Sequence, residues 1–279
     1  MIKTLPPAIV DFHVHLFPEK GFEAIWKAFD QVYNAPVIHH LYHTECIDYL
    51  RMRGVETIVF SNYAHKRGFA KPMNQWNRHL LDTTENIYGF AAFHPEDDHA
   101  LVDTAQILSH PKILGIKLHF LIQHFNADDS RFFPLYEMII DRKKRLLMHI
   151  GTGPIGNEFT GIHQFEKILK RYPELPVTVP HMGGYEYKEF MNLLDAHKEI
   201  YLDTAYCFWP DHPGGFNLDN TWLEKYKDRI LYGSDFPNII LPRKGEIQGL
   251  LTRNLSQEFY DRVFYANGKR LIDSILYSR

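Results

Sequence analysis

The sequence predicts an α/β protein: a (β/α)8 TIM barrel with a loop or short-helix insertion after the first strand and with C-terminal helices. Two observations lead there. Short apolar segments recur eight times along the 279 residues, separated by stretches with helical periodicity. Polar residues then stand at the ends of the first, fifth, sixth and eighth segments, and a closed barrel gathers those ends at one mouth. The main alternative, a doubly wound open sheet, usually needs fewer strands and places ligands at a topological switch point. Residues 1–279 read as one domain, with no linker, internal repeat or low-complexity tract.

The elements follow in order. Residues 9–15 form the first strand. Residues 17–43 are too many for a tight turn, so they are expected to make a lid or wall with a short helix around 22–29. Thr44 is placed to cap a helix carrying Ile47, Tyr49 and Leu50, which Gly54 ends. Residues 55–60, 87–93 and 113–120 are strands two to four. Pro134 opens a helix to about 144, with Leu135, Met138 and Ile139 on one face. Strand five covers 146–150, and the helix at 163–171 carries Phe165, Ile168 and Leu169. Strand six covers 177–181, and the helix at 185–197 carries Phe190, Leu193 and Leu194. Strand seven is 200–204. The irregular stretch 206–221, rich in Gly, Pro, Asp and aromatics, reads as a second mouth loop. Strand eight is 230–234, and terminal helices follow at 256–263 and 267–277. Their apolar faces either pack onto the barrel or form a homodimer interface.

Charge and composition exclude several classes. Lys and Arg total 31 against 34 Asp and Glu, a net charge of -3, so no basic stripe suggests nucleic acid. No apolar run approaches the ~20 residues of a membrane span. The first ten residues lack the pattern of a secretion signal, which makes a cytoplasmic location the expectation. Cys46 and Cys207 are too few for a disulfide scaffold and too far apart in sequence for a redox or zinc motif. His39 and His40 are expected outside any site.

The chemistry-bearing residues cluster at strand ends. His13 and His15 alternate with Val14, so both imidazoles point to one face and can grip one divalent metal. His149 ends strand five just before the abrupt Gly151-Thr152-Gly153-Pro154 loop, which lacks the spacing of a phosphate-binding loop. His181, in Val-Thr-Val-Pro-His-Met-Gly-Gly, suits proton transfer, metal ligation or polar packing. Asp235, in Gly-Ser-Asp-Phe-Pro, suits a metal ligand, a contact to bound water, or a turn cap. Lys117 and His119 share a strand face. Lys117 can orient an anionic substrate, pair with a carboxylate or, as a carbamate, bridge two metals, and His119 can bind substrate. Asp203 reads as an acceptor behind the site or a structural cap. Phe17, Phe120, Phe208 and Trp209 either line the substrate pocket or pack in the core.

Together, Asp11-Phe12-His13-Val14-His15, Gly115-Ile116-Lys117-Leu118-His119, His149, His181-Met182-Gly183-Gly184 and Gly233-Ser234-Asp235-Phe236-Pro237 make the sequence resemble the amidohydrolase-related family. These are metal-dependent TIM-barrel hydrolases, and the branch includes aminocarboxymuconate semialdehyde decarboxylase. The resemblance spans nearly the whole chain. It implies His13, His15, His149 and Asp235 as metal ligands, and His181 as the residue assisting a bound water or substrate. It implies one divalent ion, first Zn, then Mn or another transition metal, and it favours one ion over a two-metal site with carbamylated Lys117. The expected function is hydrolysis of a small carboxylate-bearing ester, lactone or amide-like substrate by metal-activated water, with Asp235 and His181 catalytic. The alternative is a non-oxidative decarboxylase of an aromatic or unsaturated acid. A third class is a noncatalytic metal-bound binding or regulatory protein. The expected partner in each case is a small molecule.

Overall fold

In the computed structural model, which describes residues 3–33, 36–153, 155–210, 212 and 214–277, the eight apolar segments form one parallel sheet. They are β1 (Ile9–His15), β2 (Val55–Ser61), β3 (Ile87–Ala92), β4 (Ile113–His119), β5 (Arg145–His149), β6 (Val177–Val179), β7 (Ile200–Asp203) and β8 (Ile230–Leu231). Each strand pairs with the next in sequence. Burial on both faces explains why the strands read as near-continuous apolar runs. Closure onto β1 is made mostly by the chain just after β8. Phe12 N donates to Tyr232 O at 2.9 Å, Asp235 N to His13 O at 2.8 Å, and His15 N to Phe236 O at 2.8 Å. The barrel seam therefore runs through the residues that flank Asp235.

The helices between strands are α2 (His43–Arg51), α3 (Ala70–Thr83), α4 (Ala100–Ile107), α6 (Phe133–Asp141), α7 (Ile162–Arg171), α8 (Tyr187–Ala196) and α9 (Asn220–Lys225). The insertion after β1 is α1 (Glu19–Tyr33), and a single turn, α5 (Phe120–Gln123), follows β4. After β8 come α10 (Arg243–Thr252), α11 (Gln257–Asp261) and α12 (Asn267–Tyr277). Leu271, Ile272 and Ile275 of α12 pack on Val10, Phe12, Leu114 and Leu231. These come from β1, β4 and β8 near the strand starts, so α12 covers the end of the barrel opposite the mouth, and its apolar face is used within the chain.

Several expectations change. The α2 helix begins at His43 with Tyr42 as its cap, so Thr44 lies inside it. The capping contact is Tyr42 N donating to Glu45 Oε2 at 2.9 Å. The insertion helix is longer than 22–29. Strands six and eight are shorter than the sequence suggested, so His181 and Asp235 sit just past their strands. Helices α3, α4, α9 and α10 were not legible, and for two of them the buried residues show why. The face of α3 toward the sheet includes buried Asn74 and Asn77, and Asn74 exchanges hydrogen bonds with both backbone groups of Ala92 at 2.8 and 2.9 Å. The buried residues of α10 include Arg243 and Glu246. Apolar periodicity does not register polar faces. Among the described residues, no helix is long and apolar enough to cross a membrane.

Candidate active site

The mouth is marked by unusual backbone. His181 (φ 58°), Met182 (φ 51°), Tyr206 (φ 63°) and Asp235 (φ 57°) occupy the left-handed region just beyond β6, β7 and β8. Such conformations cost free energy for non-glycine residues and persist where surrounding contacts enforce them. Gly183 (φ 82°) is required rather than tolerated, because a Cβ there would meet the Phe190 ring at 2.1 Å. Gly183→Ala is therefore expected to lower stability by at least about 1–2 kcal/mol, measured by urea denaturation. A variant as stable as the parent would show that the turn re-forms without strain.

Three ligand-type atoms converge at the end of β1. His13 Nε2 and His15 Nε2 are 3.2 Å apart. Both face Asp235 Oδ1, at 3.3 and 2.9 Å. The other ring nitrogens face acceptors: His15 Nδ1 faces Ser61 O at 3.3 Å, and His13 Nδ1 lies 3.0 Å from Asp203 Oδ2. A carbonyl only accepts, and a carboxylate favours a proton on the nitrogen it faces. The His15 proton therefore belongs on Nδ1, where Ser61 O accepts it, and the Asp203 carboxylate favours the same tautomer at His13 although that contact is not aligned as a hydrogen bond, leaving both Nε2 lone pairs aimed inward. Two lone pairs and a carboxylate oxygen in contact repel one another unless a cation sits among them. This donor set fits a divalent transition metal.

The remaining predicted residues surround this point. His149 is buried, its Nε2 has no hydrogen-bond partner, and its ring stacks on His119 with centroids 4.2 Å apart. The His149 and His181 centroids are 5.0 Å apart. His149 is outside the two tightest groups of ligand-type atoms among the described residues, which are His13 with His15 and Asp235, and His13 with His181 and Asp203. His181 Nδ1 lies 3.0 Å from Ala205 O, and its backbone N–H donates to Asp203 Oδ1 at 3.0 Å. Asp203 thus contacts two of the histidines, in keeping with an acceptor behind the site.

Electrostatics favour ligand-competent side chains. Burial drives His13, His119 and His149 well below the ordinary imidazole pKa, so they are neutral. Burial pushes the Asp235 carboxyl up, but His13, His15 and His181 together outweigh it and bring the pKa to about 2. Burial lowers Lys117 to about 8.

Above the histidines opens a cleft of about 380 Å³. His15, His119, His149, His181 and Asp235 contribute to it, and Ile25 and Phe29 of α1 share its walls with Tyr63, Leu121, Ile122, Ile155 and Tyr206. The insertion helix thus supplies wall, as its length suggested. Four aromatic assignments are corrected: Phe17, Phe120, Phe208 and Trp209 are buried behind the lining. Phe17 packs on Phe22, Phe120 on Phe132, Phe208 on Phe216, and Trp209 donates Nε1 to Pro242 O at 3.0 Å. Lys117 is fully buried, its Nζ has no hydrogen-bond partner, and it lies behind the cleft lining, close enough to Asp235 and Asp203 for their charges to act on it. Sequence reading missed Tyr63, Tyr206, Asn157 and Asn238, all of which lie on loops with no periodic signal.

The barrel has counterparts among known proteins. No curated protein matches the chain. Among solved structures, an uncharacterized TIM-barrel protein from Bordetella bronchiseptica aligns with a TM-score of 0.74 and 17% identity, covering 96% of this chain and 99% of that one. The 5-carboxyvanillate decarboxylase of Sphingomonas paucimobilis aligns at 0.66 and 12%, covering 96% and 99%. A dihydroxybenzoic acid decarboxylase from a Polaromonas species, with bound manganese and 2-nitroresorcinol, aligns at 0.65 and 13%, covering 98% and 100%. These likenesses show the fold. Residues 10–273 match the sequence pattern of the family described as amidohydrolase, and this chain belongs to that family.

Proposed function

We propose that the protein is a metal-dependent, non-oxidative decarboxylase of a small aromatic or unsaturated carboxylic acid. The observation that carries this reading is the composition of the cleft. Among its described lining residues there is no Lys or Arg, and apolar walls stand over neutral imidazoles. A carboxylate entering such a cleft loses water without gaining a Lys or Arg partner from the walls, so the leaving carboxylate is not held by a fixed side-chain cation, which favours its conversion to neutral carbon dioxide. The hydrolase reading gave the substrate carboxylate to Lys117 or His119; of the two only His119 lines the cleft, and burial keeps its imidazole neutral. The named decarboxylases among the structural neighbours point the same way.

His13, His15, His149 and Asp235 would hold one divalent ion, which supplies Lewis-acid stabilisation of a substrate oxygen. The three imidazoles favour Zn, and the manganese in the dihydroxybenzoic acid decarboxylase makes Mn the alternative to test. Tyr63, Phe29 and Tyr206 flank a planar substrate. His181 carries its Nδ1 proton toward Ala205 O, so Nε2 is the nitrogen that exchanges protons. The C–C bond to the carboxylate breaks, its electron pair stays on the substrate carbon, and that carbon takes the proton from protonated His181 Nε2. Carbon dioxide leaves, and no oxidant is consumed. Asp203, accepting the His181 backbone N–H, keeps the ring at its post.

The test is incubation of Zn- or Mn-loaded protein in D2O with 2,6-dihydroxybenzoate, 5-carboxyvanillate and related acids, beside a set of esters and lactones. Carbon dioxide release with one deuterium on the vacated carbon is expected. Ester or lactone hydrolysis, with no carbon dioxide from any acid, would restore the hydrolase reading.

A further inference from the structure

Behind the metal-ligand cluster lies a buried charged group that the proposed chemistry does not use. Asp11 is fully buried on β1, and Arg243 and Glu246 of α10 are 4% and 1% exposed. Asp11 Oδ1 accepts the backbone N–H of His13 at 3.4 Å and of Ser234 at 3.1 Å. One oxygen thus ties the β1 histidine segment to the residue before Asp235, across the seam where the barrel closes. Its other oxygen, Oδ2, lies 3.8 Å from Arg243 Nε, a buried charge contact rather than a hydrogen bond. That guanidinium also stands over the Tyr232 ring, 5.4 Å from its centroid.

We infer that Asp11 and Arg243 act as a positioning pair, setting the spacing of His13 and Asp235 for the divalent ion. This rests on the metal-site reading above. Burying an ion pair behind a structural seam is costly unless the geometry it enforces is needed. An apolar contact at α10 would hold the helix as well, but would not hold Asp11 in the one orientation that receives both amides. Neither residue touches substrate. Their effect passes through backbone atoms to the ligand side chains, and the loss of such supporting contacts weakens metal binding about 10- to 100-fold.

The experiment compares the parent chain, Arg243→Gln and Arg243→Lys. Zn affinity is measured by chelator competition, the d–d absorption of bound Co is recorded, and amide exchange at His13 and Ser234 is followed in the metal-free protein. For Arg243→Gln we expect a 10-fold or greater loss of Zn affinity, an altered Co spectrum and faster exchange at both amides, with Arg243→Lys restoring part of each. Unchanged affinity, spectrum and exchange in folded Arg243→Gln would overturn the pairing. If the glutamine variant does not fold, the lysine variant decides: intermediate values support the role and parent values refute it. If the parent chain bound neither Zn nor Co, the metal reading would fail, while the amide exchange would still report on the pair.

Discussion

Replacing His149 with alanine is expected to remove the bound metal and with it all measurable turnover. Its Nε2 is a buried nitrogen without a hydrogen-bond partner, a costly arrangement unless a ligand completes it. Deleting that atom should leave the metal-free protein folded, because the ring makes no hydrogen bond through Nε2 that the barrel needs. The loss should appear on adding metal. At an ion concentration 100 times the parent dissociation constant, binding stabilises the parent by about 2.7 kcal/mol. A variant that no longer holds the ion would keep none of that. Thermal melts with and without Zn or Mn, together with metal analysis, read this directly. Full occupancy in His149→Ala would remove His149 from the ligand set and leave His13, His15 and Asp235 as the centre.

The second large effect concerns His181. His181→Asn keeps an N–H near the position of Nδ1, where Ala205 O can still accept it, and removes the nitrogen assigned to proton transfer. Turnover is expected to fall by about 10²–10⁴-fold, with metal affinity changed only a few-fold. That split separates the two groupings in which the structure places these side chains. If His181 belonged with His13 and Asp203 as a ligand, the asparagine variant would lose metal along with activity. If it were only a packing residue, the rate would hold.

Much of the architecture could be read from the chain because it is carried by local patterns. The first strand was found with both bounds correct, since its seven residues are buried without interruption. The helices α6, α7 and α8 announced themselves by stripes such as Phe165, Ile168 and Leu169, which are buried as the spacing required. Helices α3 and α10 did not, because each hides polar side chains against the barrel. The adjacency of His13 and His15 was likewise local. In contrast, the chemistry assigned to Lys117 depended on which side of the floor its amine reached, and no spacing rule contains that distance.

The sequence by itself determined the eight-strand barrel, its family and the identity of the histidines and acid at the mouth, because strand periodicity and motif spacing are short-range properties. Only the tertiary structure decided that Tyr63 and Tyr206, rather than Phe120 and Trp209, face the cleft, that Lys117 lies beneath it, and that Asp11 and Arg243 brace the closing seam. Those outcomes depend on how segments up to 223 positions apart come together, as where the Ser234 backbone N–H donates to Asp11 Oδ1.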